Sequence, residues 1–293
     1  MASMELIKKL RDMTQAGVMD AKKALEENGD DLDKAAQWLR EKGIAKAAKK
    51  ASAVATEGVT RILIEGNKAI LVEINSQTDF VAMSDNFIKL VDEITLAIFR
   101  SNAKTIEEAL VIKTHSNITV EEACIQLTAK IGEKIIVRRF MILEKSNDEV
   151  FAHYTHSNNK ISVLLKLKPQ SNVTAGRDVA MHAAAMAPRF LSQNEVDPNW
   201  LKNETKILTE QTISEGKPAD RAEMIVKGRV KKLLAEVCLL DQQFVKDPSK
   251  TVREYLKVNN SDIIQYIRYE VGEGIEKKVV DFAAEVAEQM NKK

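Results

Sequence analysis

VTRILIEGNKAILVEIN, residues 59–75, is the stretch that decides the fold of this chain. Residues 59–64 are β-branched and aliphatic, which favours a strand, and residues 69–75 return with apolar side chains at alternate positions. Between them, residues 65–68 contain a Gly-Asn pair that can take the positive φ angles of a tight turn. The return strand has two faces, Ile70, Val72 and Ile74 on one and Glu73 and Asn75 on the other. The stretch therefore predicts a β-hairpin.

A helical pattern follows this hairpin. Apolar side chains recur with the period of a helix at Phe87, Leu90, Val91, Ile94 and Ile98. Ser84 is a suitable N-cap for that helix, and Asp85 suits its first turn. One or two further helices are expected up to Lys130, and residues 134–143 are predicted to form a strand.

The second half of the chain repeats this order of elements. Residues 150–167 predict a second hairpin around Ser157-Asn158-Asn159, and a helix is expected from Gly176 to Met186. A strand at residues 262–271 corresponds to the one at residues 134–143. Because a hairpin, helices and a closing strand occur twice, we predict an internally duplicated α+β core with antiparallel sheets.

Residues 1–50 predict short helices rather than strands. The second of three helices runs from about Asp20 to Asn28 and stops before a glycine. The third begins near Asp31 and ends at Gly43, and the Ala- and Lys-rich residues 44–56 are interpreted as a helical linker. A three-helix bundle of this size buries little apolar area, which is typical of a binding module rather than a catalytic one.

A pair of long helices is predicted inside the second half. Asp197 and Pro198 open a helix that runs to about Glu215, residues 216–218 break it, and another helix covers about residues 219–239. Such a helical hairpin suits association with a partner or with a second copy. A last helix is expected after Gly274, with apolar side chains at Val279, Phe282, Val286 and Met290.

Length and charge limit the classes of function. The chain has 293 residues, enough for two or three modules, and 44 Lys and Arg against 43 Asp and Glu give a net charge of +1. This balance provides no general attraction to nucleic acid. A local group of lysines, Lys42, Lys46, Lys49 and Lys50, is interpreted as a solvated helix end or linker, with an RNA-binding patch as the alternative.

A cytoplasmic location is expected by elimination. Cys124 and Cys238 are far apart and form no CxxC pattern, which fits a reducing compartment. The first residues lead into an amphipathic pattern without the apolar core of a signal peptide. No stretch of the sequence has the length and apolar character of a membrane span.

The sequence contains no recognisable catalytic or metal-binding set. Its histidines and cysteines do not have metal-ligand spacing, and His153 and His156, three residues apart in a strand, would point to opposite faces. A phosphate-binding loop, a dinucleotide fingerprint and a nucleophile elbow are also missing from the sequence. We therefore expect neither an enzyme nor a bound metal or cofactor, and we expect function through binding to another protein.

Several collinear stretches resemble the bacterial elongation factor Ts family, the nucleotide-exchange factors of elongation factor Tu. They are LRDMTQAGVMDAKKAL at 10–25, NSQTDFVA at 75–82, DVAMHAA at 178–184, DPSKTV at 247–252 and RYEVGEGIEK at 268–277. Any one of these stretches could arise by chance. Together they span nearly the whole chain in the order of the family, which makes the resemblance specific.

The resemblance implies an architecture that agrees with the elements predicted above. Its parts are a ubiquitin-associated-like bundle and linker at 1–54, a first core half at 55–143, a second core half at 144–196 and 238–274, an inserted antiparallel helical hairpin of the dimerisation type at 197–237, and a C-terminal helix at 275–293.

The resemblance also implies where the partner binds. By position, Thr78, Asp79, Phe80 and Val81 match the family segment that reaches the nucleotide-binding domain of elongation factor Tu and helps to dislodge Mg²⁺. The other contacts implied are Val18 and Met19, an apolar pair that docks on that domain, the nearby Lys22, and His156, which touches another domain. The family usually has glycines after this histidine, whereas this chain has Ser157-Asn158-Asn159, in which Asn can adopt the left-handed conformation.

The residues themselves leave other interpretations open. Thr78 or Asp79 could cap the following helix, Phe80 could belong to the core, and Val18 and Met19 could belong to the core of the bundle.

With the resemblance, we expect a guanine-nucleotide exchange factor that binds the GDP-bound and nucleotide-free forms of elongation factor Tu and stays bound until GTP enters. Its helical hairpin would support either a homodimer or a two-to-two complex. The alternative is an adaptor or chaperone whose N-terminal bundle recognises a peptide or a nascent chain.

Overall fold

The structure is a computed structural model that describes residues 3–14, 16–216 and 219–276. The predicted C-terminal helix at 275–293, including Val279, Phe282, Val286 and Met290, lies outside these residues from residue 277 onward. Lys217 and Pro218 of the predicted helix break also lie outside them. The described residues form α-helices and antiparallel β-sheets, which confirms the predicted α+β class.

Two compact units divide the chain. The first contains residues up to Arg61, Val72–Phe140 and the residues from Glu270 onward. The second contains Ile62–Leu71 and Met141–Tyr269. The first hairpin and the strand that pairs with it therefore contribute residues to both units. None of the described helices is both long and apolar enough to cross a bilayer.

The N-terminal bundle forms as predicted, with α1 (Met4–Thr14), α2 (Val18–Glu27) and α3 (Leu32–Ala48). Gly29 follows α2 with a φ of 63°, in the left-handed region that favours glycine. The carboxylate of Asp31 caps α3 by accepting hydrogen bonds from the backbone N–H groups of Asp33 and Lys34, each at 3.0 Å. The buried core of the bundle consists of Ile7, Leu10, Ala21, Ala24, Leu25 and Ala35.

The predicted hairpin consists of β1 (Glu57–Glu65) and β2 (Lys68–Ser76), and Gly66 in its turn has a φ of 58°. The chain then forms α4 (Asp79–Ala82), α5 (Asp85–Phe99), α6 (Ile106–Leu110), α7 (Val120–Ile131) and β3 (Ile136–Glu144). The three strands make one sheet in the order β1-β2-β3. The predicted cap of α5 is confirmed, because the Ser84 hydroxyl accepts a hydrogen bond from the N–H of Phe87 at 3.4 Å.

The second half contains β4 (Val150–Thr155), β5 (Ile161–Leu167), α8 (Val173–Met186), α9 (Pro198–Ser214), α10 (Ala219–Val237), β6 (Gln243–Phe244), β7 (Asp247–Thr251), α11 (Val252–Val258) and β8 (Ile263–Glu270). Its larger sheet has the order β4-β5-β8, a hairpin joined by a later strand. The predicted repeat of hairpin, helices and closing strand is therefore confirmed. The helical hairpin α9–α10 is also present, and Asp197 caps α9 by accepting from the N–H of Asn199 at 2.9 Å.

One predicted helix end is wrong. We expected α3 to stop at Gly43, but the helix continues to Ala48. A Cβ atom at Gly43 would lie 3.6 Å from the Cβ of Ala129 on α7, and Arg40, one turn earlier, forms an ion pair with Glu122 of the same helix. Gly43 thus lies at a close helix–helix contact, and this packing outweighs the preference of about 1 kcal/mol against glycine inside a helix. The predicted helical linker at 44–56 is therefore correct as a helix only for residues 44–48, which belong to α3, and residues 49–56 are not helical.

Two predicted starting points are also wrong. Helix α8 begins at Val173 rather than Gly176, because Asn172 caps it through the N–H groups of Thr174 and Ala175. A Cβ atom at Gly176 would lie 2.7 Å from the Cβ of Ala152, so this glycine allows α8 to approach the sheet closely. Strand β3 begins at Ile136 rather than at residue 134. The N–H groups of Lys134 and Ile135 donate hydrogen bonds to side chains, those of Gln77 and Thr128, instead of to a neighbouring strand.

Glu73 of β2 is fully buried, although its place on the polar face of the strand did not predict this. Its carboxylate binds Arg138 Nη1 at 2.8 Å and Arg139 Nε at 2.6 Å, both from β3. It also accepts a hydrogen bond from the N–H of Gly272 at 2.9 Å. Gly272 has a φ of 75°, and a Cβ atom there would lie 2.4 Å from the carbonyl oxygen of Thr56. The buried carboxylate therefore joins β2, β3 and the turn after β8.

Glu73→Gln is expected to lower the free energy of unfolding by about 3 kcal/mol, because the two guanidinium groups lose the charge that neutralises them. Urea unfolding followed by circular dichroism measures the change. The matched control is Glu65→Gln, an exposed carboxylate at the end of β1, which should stay within about 0.5 kcal/mol of the wild type. If the two substitutions lowered the free energy of unfolding equally, the proposed contribution of Glu73 to stability would be contradicted.

His182 of α8 is fully buried in the second unit. Its Nδ1 atom accepts a hydrogen bond from the N–H of Val245 at 3.2 Å, and its Nε2 atom lies 2.8 Å from Oε1 of Gln242. Because Nδ1 accepts, the ring is neutral and carries its proton on Nε2. Burial lowers the pKa of His182, and the bond to Gln242 offsets only part of this effect.

The free energy of unfolding is expected to decrease when the pH is lowered beyond about 6.5, the ordinary pKa of histidine. The unfolded chain takes up a proton there, whereas folded His182, with its lowered pKa, does so only at lower pH. The free energy of unfolding, measured between pH 7.5 and 5.5, should therefore decline less in His182→Gln than in the wild type. A decline of the same size in His182→Gln and in the wild type would contradict this role of His182.

Candidate functional site

The segment Thr78–Val81 lies directly after β2 and forms the start of the short helix α4. Thr78 is the N-cap: its hydroxyl oxygen accepts a hydrogen bond from the N–H of Val81 at 3.4 Å. Asp79 lies in the first turn and is exposed. The capping interpretation is therefore correct for Thr78 and wrong for Asp79. The helix that Thr78 caps is α4, and the longer helix α5 has its own cap in Ser84.

Phe80 points away from the core. It is 80% exposed, whereas the next residue, Val81, is 8% exposed and belongs to the core. The core interpretation of Phe80 is therefore wrong. Met83, three residues after Phe80, is 70% exposed and was not singled out in the sequence, although residues three apart on a helix are neighbours. Together Phe80 and Met83 present apolar surface beside the carboxylate of Asp79.

The turn after α7 supports this segment. Glu133 accepts hydrogen bonds from the N–H of Thr78 at 3.0 Å and from its hydroxyl at 2.8 Å. The N–H of Lys134 donates to the side-chain oxygen of Gln77 at 2.9 Å. Sequence reasoning missed Glu133, because it lies 55 residues from Thr78 and no local pattern connects the two. The backbone that leads into α4 is therefore held by hydrogen bonds to the turn after α7, while Asp79 and Phe80 of α4 are exposed.

The apolar pair of the N-terminal bundle also lies on the surface. Val18 and Met19 occupy the first turn of α2, and they are 44% and 76% exposed. The interpretation that they form the bundle core is therefore wrong. Lys22 lies one turn further on and approaches Glu26 at 3.9 Å. This pair and α4 belong to the same unit of the chain.

Two lysines of the basic group interact within the bundle. Lys42 and Lys46 lie 3.4 and 3.2 Å from the carboxylate of Asp20, and Lys42 also stands over the ring of Trp38. Burial opposes ionisation of Asp20, but Lys46 and Lys42 outweigh it and hold the pKa of Asp20 below its usual range. These contacts support the helix-end interpretation of both lysines.

His156 lies in the second unit, exposed at the turn between β4 and β5. The departure from the family's glycines leaves the turn intact, because Asn159 takes a φ of 56°. Asn158 Oδ1 accepts from the N–H of Lys160 at 3.0 Å and lies 3.0 Å from Nδ1 of His156. The side chain of His156 is thus held at the surface by its own turn.

Within the described part of the chain, no group of three or more His, Cys, Asp or Glu side chains is placed to hold a metal ion. Burial raises the pKa of the Cys124 thiol to about 12 and that of the Cys238 thiol to about 11. Both thiols are thus protonated at neutral pH and poor nucleophiles. Among the predicted site residues, Val18, Met19 and Phe80 provide exposed apolar contact surface.

Comparison with known proteins gives a consistent result. A family model described as elongation factor Ts matches residues 77–273. The elongation factor Ts of Acholeplasma laidlawii is 48% identical over 291 residues, which cover 98% of each chain. That of Malacoplasma penetrans is 46% identical over 99% of each chain, and that of Limosilactobacillus reuteri is 47% identical over 97% of each.

Phe80 and Val81 are expected to differ sharply in their effect on stability. Phe80→Ala should change the free energy of unfolding by less than about 0.5 kcal/mol, because the side chain is exposed. Val81→Ala should lower it by about 1.5 kcal/mol, because two buried methyl groups are removed. Urea unfolding of the two variants provides the comparison. If Phe80→Ala lowered the free energy of unfolding as much as Val81→Ala, Phe80 would have to be a core residue.

Proposed function

This chain belongs to the elongation factor Ts family, and we propose that it exchanges guanine nucleotide on elongation factor Tu through the surface of α4. Membership of the family places the chain in translation elongation, as a nucleotide-exchange factor of elongation factor Tu. The finer proposal is carried by one observation: the large apolar side chain of Phe80 is 80% exposed. It stands at the start of a helix whose cap, Thr78, is bound by Glu133.

The proposed mechanism separates two actions within the segment. Phe80 inserts into the nucleotide-binding domain of the partner, where packed elements shift as units rather than deform smoothly. Asp79 brings a negative charge beside the ligands of the partner's Mg²⁺. Because Mg²⁺ requires nearly octahedral oxygen ligands at about 2.0–2.1 Å, a small shift of its surroundings is costly. Loss of Mg²⁺ then weakens the binding of GDP.

Other contacts bring α4 to its target. Val18 and Met19 offer exposed apolar surface to the same domain of the partner, with the cationic Lys22 beside them. His156, held by Asn158 at an exposed turn, binds another domain. These contacts act in binding, whereas Phe80 and Asp79 act on the nucleotide site.

The exchange cycle needs no covalent step. If the factor weakens the binding of GDP, GDP must weaken the binding of the factor by the same ratio. The factor therefore stays on nucleotide-free elongation factor Tu until GTP enters and displaces it. We place this cycle in the cytoplasm, where the partner takes part in translation.

The helical hairpin is the proposed site of self-association. Ile207, Ile213 and Met224 are exposed large apolar side chains on α9 and α10. A homodimer or a two-to-two complex with elongation factor Tu would cover this surface. Analytical ultracentrifugation of the factor alone and with its partner distinguishes these assemblies from a one-to-one complex.

Phe80→Ala is expected to slow the release of a fluorescent GDP analogue from elongation factor Tu by roughly tenfold or more, which corresponds to at least about 1.4 kcal/mol. The variant is added in catalytic amounts to the loaded partner, and release is followed by fluorescence. Val111→Ala removes another exposed apolar side chain of the same unit and should retain the wild-type rate. A wild-type protein that fails to accelerate release would favour the adaptor or chaperone alternative.

The same assay tests the role of Asp79. Asp79→Asn keeps the size of the side chain and removes its charge. The defect of this variant should shrink when Mg²⁺ is removed with a chelator, because no metal is then left to displace. A defect of the same size with and without Mg²⁺ would contradict the proposed action on the metal.

A further inference from the structure

We propose that Glu133 is a positioning residue for nucleotide exchange, which directs Phe80 and Asp79 towards the partner by binding Thr78. This inference rests on the proposed function of the segment Thr78–Val81. In this role Glu133 acts through Thr78, the cap of α4, to which its carboxylate is hydrogen-bonded.

The Thr78 side chain connects Glu133 to the helix. Its hydroxyl has one hydrogen to donate, and the oxygens that accept it belong to Glu133, with Oε1 at 2.8 Å and Oε2 at 3.1 Å from the hydroxyl oxygen. The oxygen of the same hydroxyl then faces the N–H of Val81 at 3.4 Å. Glu133 Oε2 accepts from the backbone N–H of Thr78 at 3.0 Å. One carboxylate thus sets both the backbone and the side-chain rotamer of the residue that starts α4.

The turn that contains Glu133 is itself held by several hydrogen bonds. Gly132, with a φ of 87°, ends α7 and donates its N–H to the carbonyl of Thr128 at 2.8 Å. The hydroxyl of Thr128 accepts from the N–H of Ile135 at 3.1 Å. The intervening Lys134 binds the side chain of Gln77 through its N–H at 2.9 Å. The turn around Glu133 is therefore bound to α7 on one side and to the end of β2 on the other.

Helix α4 depends on such support because it has only four residues. A helix this short has no stability of its own in water, since the cost of nucleation is not recovered by later turns. Hydrogen bonds to an ionised carboxylate are stronger than neutral ones, so the two bonds from Thr78 count for more than an ordinary cap. Without them the first turn, which carries Asp79 and Phe80, would lose its fixed direction.

A positioning role predicts a particular kinetic pattern. The other proposed contacts, at Val18, Met19 and His156, do not involve α4 and would still bring the partner to the surface. Loss of Glu133 should therefore lower the maximal rate of GDP release by a large factor. The concentration of the exchange factor needed for half of that rate should rise by a smaller factor. If Glu133 served only general stability, its substitution would instead lower the unfolding midpoint. If Glu133 contacted the partner directly, the effect of its substitution would not depend on Thr78.

The test compares Glu133→Gln, Thr78→Val, the double variant and Thr78→Ser in the GDP-release assay with the full chain. Glu133→Gln and Thr78→Val should each lower the maximal rate by about tenfold, the effect of losing a charged hydrogen bond. The double variant should be no slower than the slower single variant, because the hydroxyl bond that Thr78→Val removes is one of the two bonds that Glu133→Gln weakens. Thr78→Ser keeps the hydroxyl and should restore most of the rate that Thr78→Val loses. Glu121→Gln, an exposed carboxylate on α7, is the control.

Hydrogen exchange at the amide of Thr78 supplies an independent readout. Glu133→Gln should raise the exchange rate of this amide while the unfolding midpoint stays near the wild-type value. If Glu133→Gln unfolds the protein, the comparison of Thr78→Val with Thr78→Ser decides the question, because it removes and restores the hydroxyl bond to Glu133 while the backbone bond stays in place.

Three results overturn the inference: a wild-type rate in Glu133→Gln or Thr78→Val, additive defects in the double variant, or unchanged exchange at the Thr78 amide. A wild-type rate in Glu133→Gln together with a slow Phe80→Ala would reject the role of Glu133 alone. A wild-type rate in Phe80→Ala would reject the proposed function itself.

Discussion

The carboxylate of Glu73 lies without solvent exposure between two arginine side chains and the N–H of Gly272. A buried carboxylate without such partners would cost several kcal/mol, so β2, β3 and the turn at Gly272 must stay together in the folded chain. Strand β2 ends at Ser76, two residues before Thr78. The position from which the proposed binding segment leaves the sheet is therefore set by a charge cluster several residues earlier in the strand.

The segment itself combines a fixed backbone with an exposed apolar side chain. Phe80 gains nothing from burial in the free protein, whereas covering a side chain of this size is worth about 1.5–3 kcal/mol. In the proposed complex that free energy becomes available when the partner covers Phe80, and a fixed direction reduces the entropy that binding must remove. Glu133, which binds the cap of α4, and Ser84, which begins α5, hold the segment on either side of Phe80. The chain thus keeps an apolar side chain in water at a place where its backbone is well supported.

Local patterns in the sequence predicted most of the fold and less of the site. Alternation in residues 59–75 and the helical period after Ser84 depend on neighbouring residues, and both were correct. Gly43 and Gly176 were misjudged for one physical reason: each was treated as the boundary of a helix, Gly43 as the end of α3 and Gly176 as the start of α8. In the structure each lies inside a helix at a close approach to another element, so the missing side chain serves packing rather than termination.

The sequence by itself determined the elements, their duplication and the family, because these follow from the order and period of side chains along the chain. It also located the segment Thr78–Val81 through the resemblance. Only the tertiary structure decided that Val81 is buried while Phe80 is exposed, and that Glu73 and Glu133 bind their partners. These facts depend on residues 55 to 199 positions apart, which folding brings within hydrogen-bonding distance and which no local pattern connects.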